Sequence, residues 1–152
     1  MDVDLERFVE SHERDFARAL GEIEHGRKQT HWMWYVFPQI VALGRSRTAR
    51  HYGIHSIEEA RAFLGNPVLG SNYRRIVEAV RDQVATGDVT IHLLFGSPDD
   101  VKLVSSLTLF RGAADPTGDA ALRAHVDEVL AVAEQQGLAP CNVTAEFLDP
   151  ES

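Results

Sequence analysis

Several features that would mark a particular class of protein are missing from this sequence. Its 152 residues include one cysteine, Cys141, which excludes an internal disulfide and a zinc site made only of thiolates. No apolar run approaches the roughly 18 residues of a membrane span, and the chain does not begin with the basic segment of an export signal. We therefore expect one globular domain over residues 1–152, located in the cytoplasm and without a membrane partner.

Acidic residues are also missing from one long stretch of an otherwise acidic chain. The net charge is −8, with 23 Asp and Glu residues, which argues against generic binding to nucleic acids. None of these acids lies between Glu24 and Glu58. That interval holds five of the Lys and Arg residues, four histidines, both tryptophans and two of the three tyrosines. Such a stretch indicates a site for a small anion rather than for a polyanion.

Apolar residues recur at spacings of three and four along most of the chain, which is the pattern of amphipathic helices. The spacing predicts helices over 3–25, 56–65, 66–87, 90–95, 97–112 and 119–136. Ser56 and Glu59 form a capping box, and both Asn66-Pro67 and Ser97-Pro98 combine a cap with a proline at the first turn. The predicted fold class is all-α, a single compact domain of about six or seven helices.

The densest apolar segment, THWMWYVFPQIVALG at residues 30–44, follows the first helix. We predict a short aromatic-rich helix here, capped by Thr30 and ending near Phe37, because Pro38 disfavours helical geometry before it. The aromatic content leaves a strand open as the alternative. Most of these side chains are expected in the core. Trp34 and His31 are better site candidates, since they share a helix face and carry polar atoms.

Two blocks of sequence carry a resemblance to a known family. They are HWMWYVFPQI at 31–40 with GRS at 44–46 and residues 49–54, and FGSPDDVKL at 95–103 with SSLTLF at 105–110. Over about residues 4–135 the chain resembles an uncharacterised bacterial family, to which the label calpastatin is sometimes attached. The resemblance implies an all-α fold and brings no established activity. A calpain inhibitor is expected to be disordered and repetitive, so the label has no physical support in this sequence.

Both blocks contribute candidate binding residues. Gly44-Arg45-Ser46 is typical of a helix start that holds an anion, with Arg45 and Ser46 as donors, although an ordinary capped helix remains the alternative. In the second block Lys102 shares a predicted helix face with Ser105 and Ser106. We expect Lys102 to neutralise an anion and Ser106 to contribute to binding. A lysine-activated serine is the less favoured interpretation, because no nucleophile-elbow motif is present.

The function that follows is the binding of a small anionic, nucleotide-like ligand, with turnover left open. Trp34 would stack on a flat ring, while Gln39 and His31 would hydrogen-bond the base or sugar. If the protein is an enzyme, His31 is the candidate general acid–base, because histidine titrates near neutral pH. No cofactor is expected, and no metal, because the His51 and His55 spacing lacks the Glu of a zinc-protease motif.

The alternative is a protein-interaction or homo-oligomerisation module without catalytic activity, in which exposed Trp, Tyr and Arg side chains are binding hot spots. Concavity separates the two hypotheses. A pocket that gathers His31, Trp34, Arg45 and Lys102 favours a ligand, whereas a flat aromatic patch favours a partner protein.

Overall fold

Every regular element of the computed structural model, which describes residues 4–149, is helical. The nine α-helices are α1 (Glu6–Glu24), α2 (Met33–Val36), α3 (Arg47–His51), α4 (Ile57–Gly65), α5 (Pro67–Ala85), α6 (Ile91–Phe95), α7 (Asp99–Ala113), α8 (Ala120–Gln135) and α9 (Asn142–Leu148). A 3-10 turn spans Val41–Leu43, and one isolated parallel bridge joins Ile40 to Ile54. The predicted all-α class is confirmed, including the short aromatic helix after the first.

Two short helices account for the difference from the predicted six or seven. Helix α3 begins at the Gly44-Arg45-Ser46 segment, which we had considered as a helix start. Helix α9 lies in the tail, where the sequence pattern does not indicate a helix, because no side chain caps it and Thr144 is its one buried residue. Helix α1 begins at Glu6, and the predicted start at Val3 lies outside the described residues.

Polar side chains cap four of the helices. Ser46, Ser56 and Thr90 accept hydrogen bonds from the backbone N–H three residues later, and Asn66 accepts from the N–H groups of Val68 and Leu69. The prediction that Ser97 caps α7 is wrong. Pro98 occupies that position without a side-chain hydrogen bond, so Ser97 lies one residue too early to reach the free amides of the first turn.

One hydrophobic core joins the helices. Helix α5 packs against both α1 and α8, and α7 packs against α4, α8 and α9. Tilted and edge-on aromatic rings connect these layers: the ring centroids of Tyr73 and Phe110 lie 4.5 Å apart, those of Phe63 and Phe110 5.1 Å, and those of Phe37 and Tyr73 5.7 Å. Aromatic pairs at such separations add to the free energy gained from burial alone.

The aromatic segment is mostly core, as expected. Trp32, Met33, Tyr35, Val36 and Phe37 are all buried, and Phe37 ends the helix just before the proline. Trp34 is the member of α2 that stays partly exposed. A helix rather than a strand forms here because α2 packs on α1, which gives its residues a helical neighbour.

The carboxylate of Glu22 organises the loop between α1 and α2. Its Oε1 accepts hydrogen bonds from the N–H groups of Gln29 (2.7 Å) and Thr30 (3.0 Å) and from the indole N–H of Trp32 (2.9 Å). Its Oε2 accepts from the Thr30 hydroxyl at 2.6 Å. The prediction that Thr30 caps α2 is therefore wrong, because Glu22 takes that hydroxyl and Trp32 stands at the N-cap position.

Buried polar side chains of α1 form a second set of hydrogen bonds with α2. The Tyr35 hydroxyl donates to Asp15, and His12 Nε2 donates to the Tyr35 carbonyl at 2.7 Å. Asn72 Nδ2 donates to His12 Nδ1 at 3.1 Å. Burial lowers the pKa of His12, so the ring is neutral at pH 7 and both nitrogens are satisfied. Helix α2 is thus fixed at its start by Glu22 and in its middle by this cluster.

Replacing Glu22 with Gln should destabilise the fold and change its response to acid. Burial opposes the charge, but the hydrogen bonds from Thr30, Gln29 and Trp32 lower the pKa of Glu22 to about 2, from 4.5. A carboxylate with a lowered pKa stabilises the folded state above pH 4.5, and that contribution is lost as the pH falls towards 2. We expect Glu22→Gln to lower the free energy of unfolding at pH 7 by about 1–3 kcal/mol.

Urea denaturation at pH 7 and pH 3 measures this effect. The difference between wild type and Glu22→Gln should shrink at the lower pH, because at pH 3 the Glu22 carboxyl is protonated in the unfolded state, with its pKa of 4.5, and folding has to release that proton. Glu24→Gln is the matched control, because Glu24 is exposed and its side chain makes no hydrogen bond to a described residue. Equal destabilisation by both substitutions would show that the Glu22 network contributes nothing specific.

Candidate functional site

A groove of about 470 Å³ opens between α3 and the first turns of α7. We refer to it as the α3–α7 groove. Its polar lining consists of five side chains: Gln39, Arg45, Ser46, Lys102 and Ser105. The first four belong to the ligand-binding set predicted from the sequence. They come from segments about 60 residues apart in the chain, which only the tertiary fold brings together.

The backbone bridge between Ile40 and Ile54 positions one wall of the groove. The Ile54 N–H donates to the Gln39 carbonyl, and the Val41 N–H donates to the Ile54 carbonyl, each at 3.0 Å. Gly53 permits this approach, because a Cβ there would lie 2.6 Å from Val41 Cα. The segment that carries Gln39 is therefore tied to the residues that follow α3.

The groove carries positive charge that the protein neutralises only in part. Arg45 is exposed and makes no ion pair or hydrogen bond to any described residue. Lys102 Nζ lies 3.9 Å from Asp99 Oδ1, at the outer limit of an ion pair. Within residues 4–149, no Asp or Glu side chain lines the groove. The remaining lining is apolar, from Leu43, Ala49, Pro98 and Val101.

Trp34 lies in a small cleft next to the groove, which we call the aromatic cleft. Its other lining residues are Met33, Phe37, Gln39, Ala49, Tyr52 and Lys102, three of which it shares with the groove. The free volume is about 10 Å³, which is no more than one water molecule needs. The cleft is therefore closed to a planar ring, and a ring would have to lie in the groove itself.

The structure places two other predicted residues outside the groove. His31 is exposed, and its ring centroid lies 6.4 Å from that of Trp34, at the edge of the aromatic cleft. Ser106 is fully buried, and its hydroxyl hydrogen-bonds the Tyr73 hydroxyl at 3.0 Å. Ser106 faces α5 rather than the groove, so it cannot reach a ligand there. Ser105, one residue earlier, takes that place.

The sequence analysis missed two lining residues, Tyr52 and Ser105. The Tyr52 hydroxyl hydrogen-bonds Ser11 Oγ at 2.7 Å, so Tyr52 presents its ring to the cleft. Its place in the acid-free stretch was the available signal. Ser105 lies three residues after Lys102 and therefore on the same face of α7. That spacing was recognised, but the sequence did not indicate which of the two serines, both buried, lies at the groove.

Two less favoured chemistries find no support in the geometry. The Ser105 hydroxyl donates to the Val101 carbonyl at 3.3 Å, as a serine packed in a helix does, rather than to a base. His51 ends α3, while the His55 N–H binds Glu59 in the next segment, so these histidines do not share a helix face. No cluster of three or more His, Cys, Asp or Glu side chains is found within residues 4–149.

A larger concavity of about 600 Å³ lies where α4 and α5 meet the turn before α8. It is lined by Arg61, Arg74 and Arg123, but also by Asp115 and Asp119. Arg74 forms a bidentate ion pair with Asp119, with Nε 2.7 Å from Oδ1 and Nη2 2.6 Å from Oδ2. This pair occupies the Arg74 guanidinium. We therefore regard the smaller α3–α7 groove, whose described lining holds two cations and no acid, as the stronger candidate site.

In the part of the chain that the structure describes, no helix is both long and apolar enough to cross a membrane. The cytoplasmic location stays a prediction.

Comparison with known proteins agrees with the fold and adds no activity. The crystal structure of the conserved hypothetical protein Rv1873 from Mycobacterium tuberculosis is similar, with a TM-score of 0.81 and 38% sequence identity over 93% of this chain and 94% of that chain. No curated protein shows significant sequence similarity. None of the three comparisons supports a calpastatin label. The model of the DUF1810 family, described as proteins of unknown function, matches residues 2–136, and the chain belongs to that family.

Proposed function

We propose that this protein binds a small anionic, nucleotide-like ligand in the α3–α7 groove. One observation carries the proposal. Arg45 and Lys102 face the same concave surface, the first without a partner and the second with only a distant one, in a protein of net charge −8. Two cations that line one concave surface, without a carboxylate in the lining, attract a small anion to it.

The other lining residues supply complementary contacts. Ser46 Oγ accepts the Ala49 N–H at 3.0 Å, which leaves its own hydroxyl proton to donate to a phosphate oxygen. The Gln39 side-chain amide makes no hydrogen bond to a described residue, so it is available to the polar edge of a base or sugar. The ring of the ligand would lie on the apolar wall formed by Leu43 and Val101. Trp34 would contact it from the neighbouring aromatic cleft.

Replacing Arg45 or Lys102 with Ala should weaken binding of adenosine monophosphate by about 1.5–3 kcal/mol each, the range for hydrogen bonds to charged groups. The combined loss should differ from the sum, because both side chains contact one ligand. Stability should change little, since exposed cations without close partners contribute little to folding. Isothermal titration calorimetry at two salt concentrations measures the affinities, and added salt should weaken wild-type binding most.

Arg75→Ala is the matched control for this experiment. Arg75 is exposed and has no ion pair or hydrogen bond among the described residues, but it lies in a depression lined by Glu24, Glu78 and Asp82. Adenosine and inorganic phosphate, tested separately, report the contributions of the ring and of the anion. Affinity for adenosine monophosphate that is unchanged in both groove variants would refute the proposal, as would variants whose main defect is lost stability.

His31 is proposed to act as a general acid–base if the bound ligand is turned over. Its imidazole is exposed beside Trp34 at the edge of the aromatic cleft, where it could approach a ligand that extends from the groove. His31→Ala should then abolish turnover while changing affinity little, because the anion contacts lie elsewhere. A variant with wild-type turnover would exclude this role.

The interaction-module alternative requires exposed aromatic side chains, and most of those it names are buried. Trp32 and Tyr35, two of the aromatic residues that would form an interface, are 0% and 4% exposed within one chain. Trp34 alone of that group remains accessible. If the alternative holds, the protein sediments as a dimer and Trp34→Ala makes it monomeric. The groove proposal predicts that Trp34→Ala leaves the sedimentation coefficient unchanged.

A further inference from the structure

A further concavity, of about 540 Å³, lies between residues 26–28, which follow α1, and helix α6 with its flanking residues Val89 and Gly96. We call it the α1–α6 groove. Its volume is in the range of small-molecule pockets. It shares no lining residue with the α3–α7 groove, so a ligand in one does not contact the lining of the other.

The wall that follows α1 is fixed to the core. The Lys28 N–H donates to the Leu94 carbonyl at 2.7 Å, which ties this segment to α6. The Lys28 ammonium lies 2.9 Å from Asp99 Oδ2 and donates to the Thr30 carbonyl at 2.6 Å, and the Lys28 side chain is only 6% exposed. A ligand therefore meets a wall that needs no ordering, while the charge of Lys28 is already engaged within the protein.

Arg27 carries a charge that has no partner in the groove. It is exposed and makes no ion pair or side-chain hydrogen bond to a described residue. The described lining contains no Asp or Glu. Of the nearby acids, Asp99 is paired with Lys28, and the buried Asp100 lies 3.1 Å from His92 Nδ1. The Arg27 guanidinium is therefore available to an external carboxylate, whose two oxygens match its planar fork.

Leu93 adds an apolar surface that the fold leaves in water. It is 62% exposed, although its neighbours in α6, Ile91 and Leu94, are fully buried. A single exposed leucine is ordinary on a protein surface. Here, however, Leu93 and the partly buried Val89 line the same concavity as the unpaired Arg27. This combination is complementary to a ligand that is apolar at one end and anionic at the other.

We propose that the α1–α6 groove binds a small monocarboxylic acid with an apolar chain, with its carboxylate on Arg27 and its chain over Leu93. One unpaired guanidinium matches one negative charge. A phosphate monoester, with a charge of about −1.5 to −2 at pH 7, would need a second cation that the engaged Lys28 does not supply. The site is independent of the anion binding proposed for the α3–α7 groove.

Hexanoate is the probe at pH 7, and hexanol and acetate, which lack its charge and its long chain, are the comparisons. Two-dimensional NMR at constant ionic strength follows the backbone amides of Lys28, Leu93 and Gly96. Hexanoate should shift these signals and bind about fivefold more tightly than hexanol, the upper range for an exposed ion pair. Acetate should bind more weakly than hexanoate, by about fourfold for each methylene that the groove removes from water.

Two substitutions separate the contributions of charge and chain. Arg27→Gln should reduce the affinity for hexanoate about fivefold and leave that for hexanol unchanged, because only the ion pair is lost. Leu93→Gln should weaken both ligands by a similar factor, because both place their chain on Leu93. The matched controls Arg75→Gln and Val143→Gln replace exposed residues outside this groove and should leave both affinities unchanged. Thermal denaturation checks that each variant is folded.

Three outcomes would overturn the proposal: no shift of these amides with hexanoate, equal affinities for hexanoate and hexanol, or groove variants that bind hexanoate as tightly as the controls. Hexanoate shifts confined to the α3–α7 groove would also exclude this site, while supporting anion binding there. The double variant Arg45→Ala with Lys102→Ala should bind hexanoate at the α1–α6 groove as wild type does. Failure of the proposed function therefore leaves this inference standing, and the reverse also holds.

Discussion

The hydrogen bonds to the Glu22 carboxylate are the constraint on which the rest of the structure depends. Four donors from three neighbouring residues converge on one side chain, and together they turn the chain from α1 into α2. Because the indole of Trp32 is one of those donors, the largest buried side chain is both oriented and satisfied by an acid. If the indole N–H were buried without such a partner, the missing hydrogen bond would cancel part of the free energy that burial of the ring contributes.

The same turn connects the core to the candidate site. Lys28 lies within it, contacts the face of Trp32 and reaches Asp99 at the start of α7. The loop after α2, tied to Ile54 by the backbone bridge, then forms the opposite wall of the groove. The groove is therefore bounded by segments that are each fixed to the core, while the Arg45 side chain is exposed and Lys102 has only the distant Asp99 as a partner. Walls that are already fixed need no ordering when a ligand binds, whereas the exposed Arg45 side chain has to be ordered by the ligand.

Prediction from the sequence succeeded for helices whose apolar spacing and caps lie within one segment of the chain. Apolar periodicity gave α1, α5 and α8, and the caps Ser56 and Asn66 gave the starts of α4 and α5. It failed where a distant partner decided the outcome. Thr30 looked like a cap, but Glu22 binds its hydroxyl from the preceding helix. Ser106 looked like a site residue, but its hydroxyl is buried in the core and hydrogen-bonds Tyr73 on a separate helix.

The sequence by itself determined the all-α class, the burial of the aromatic segment and the concentration of positive charge between Glu24 and Glu58, because these follow from local spacing and composition. It also indicated Gln39, Arg45, Ser46 and Lys102 as candidates. Only the tertiary structure decided that these four line one groove, that Trp34 lies in a filled cleft beside it, and that His31 stays outside. The reason is physical: which side chains face one another depends on how helices pack, and packing is set by contacts between residues far apart in the chain.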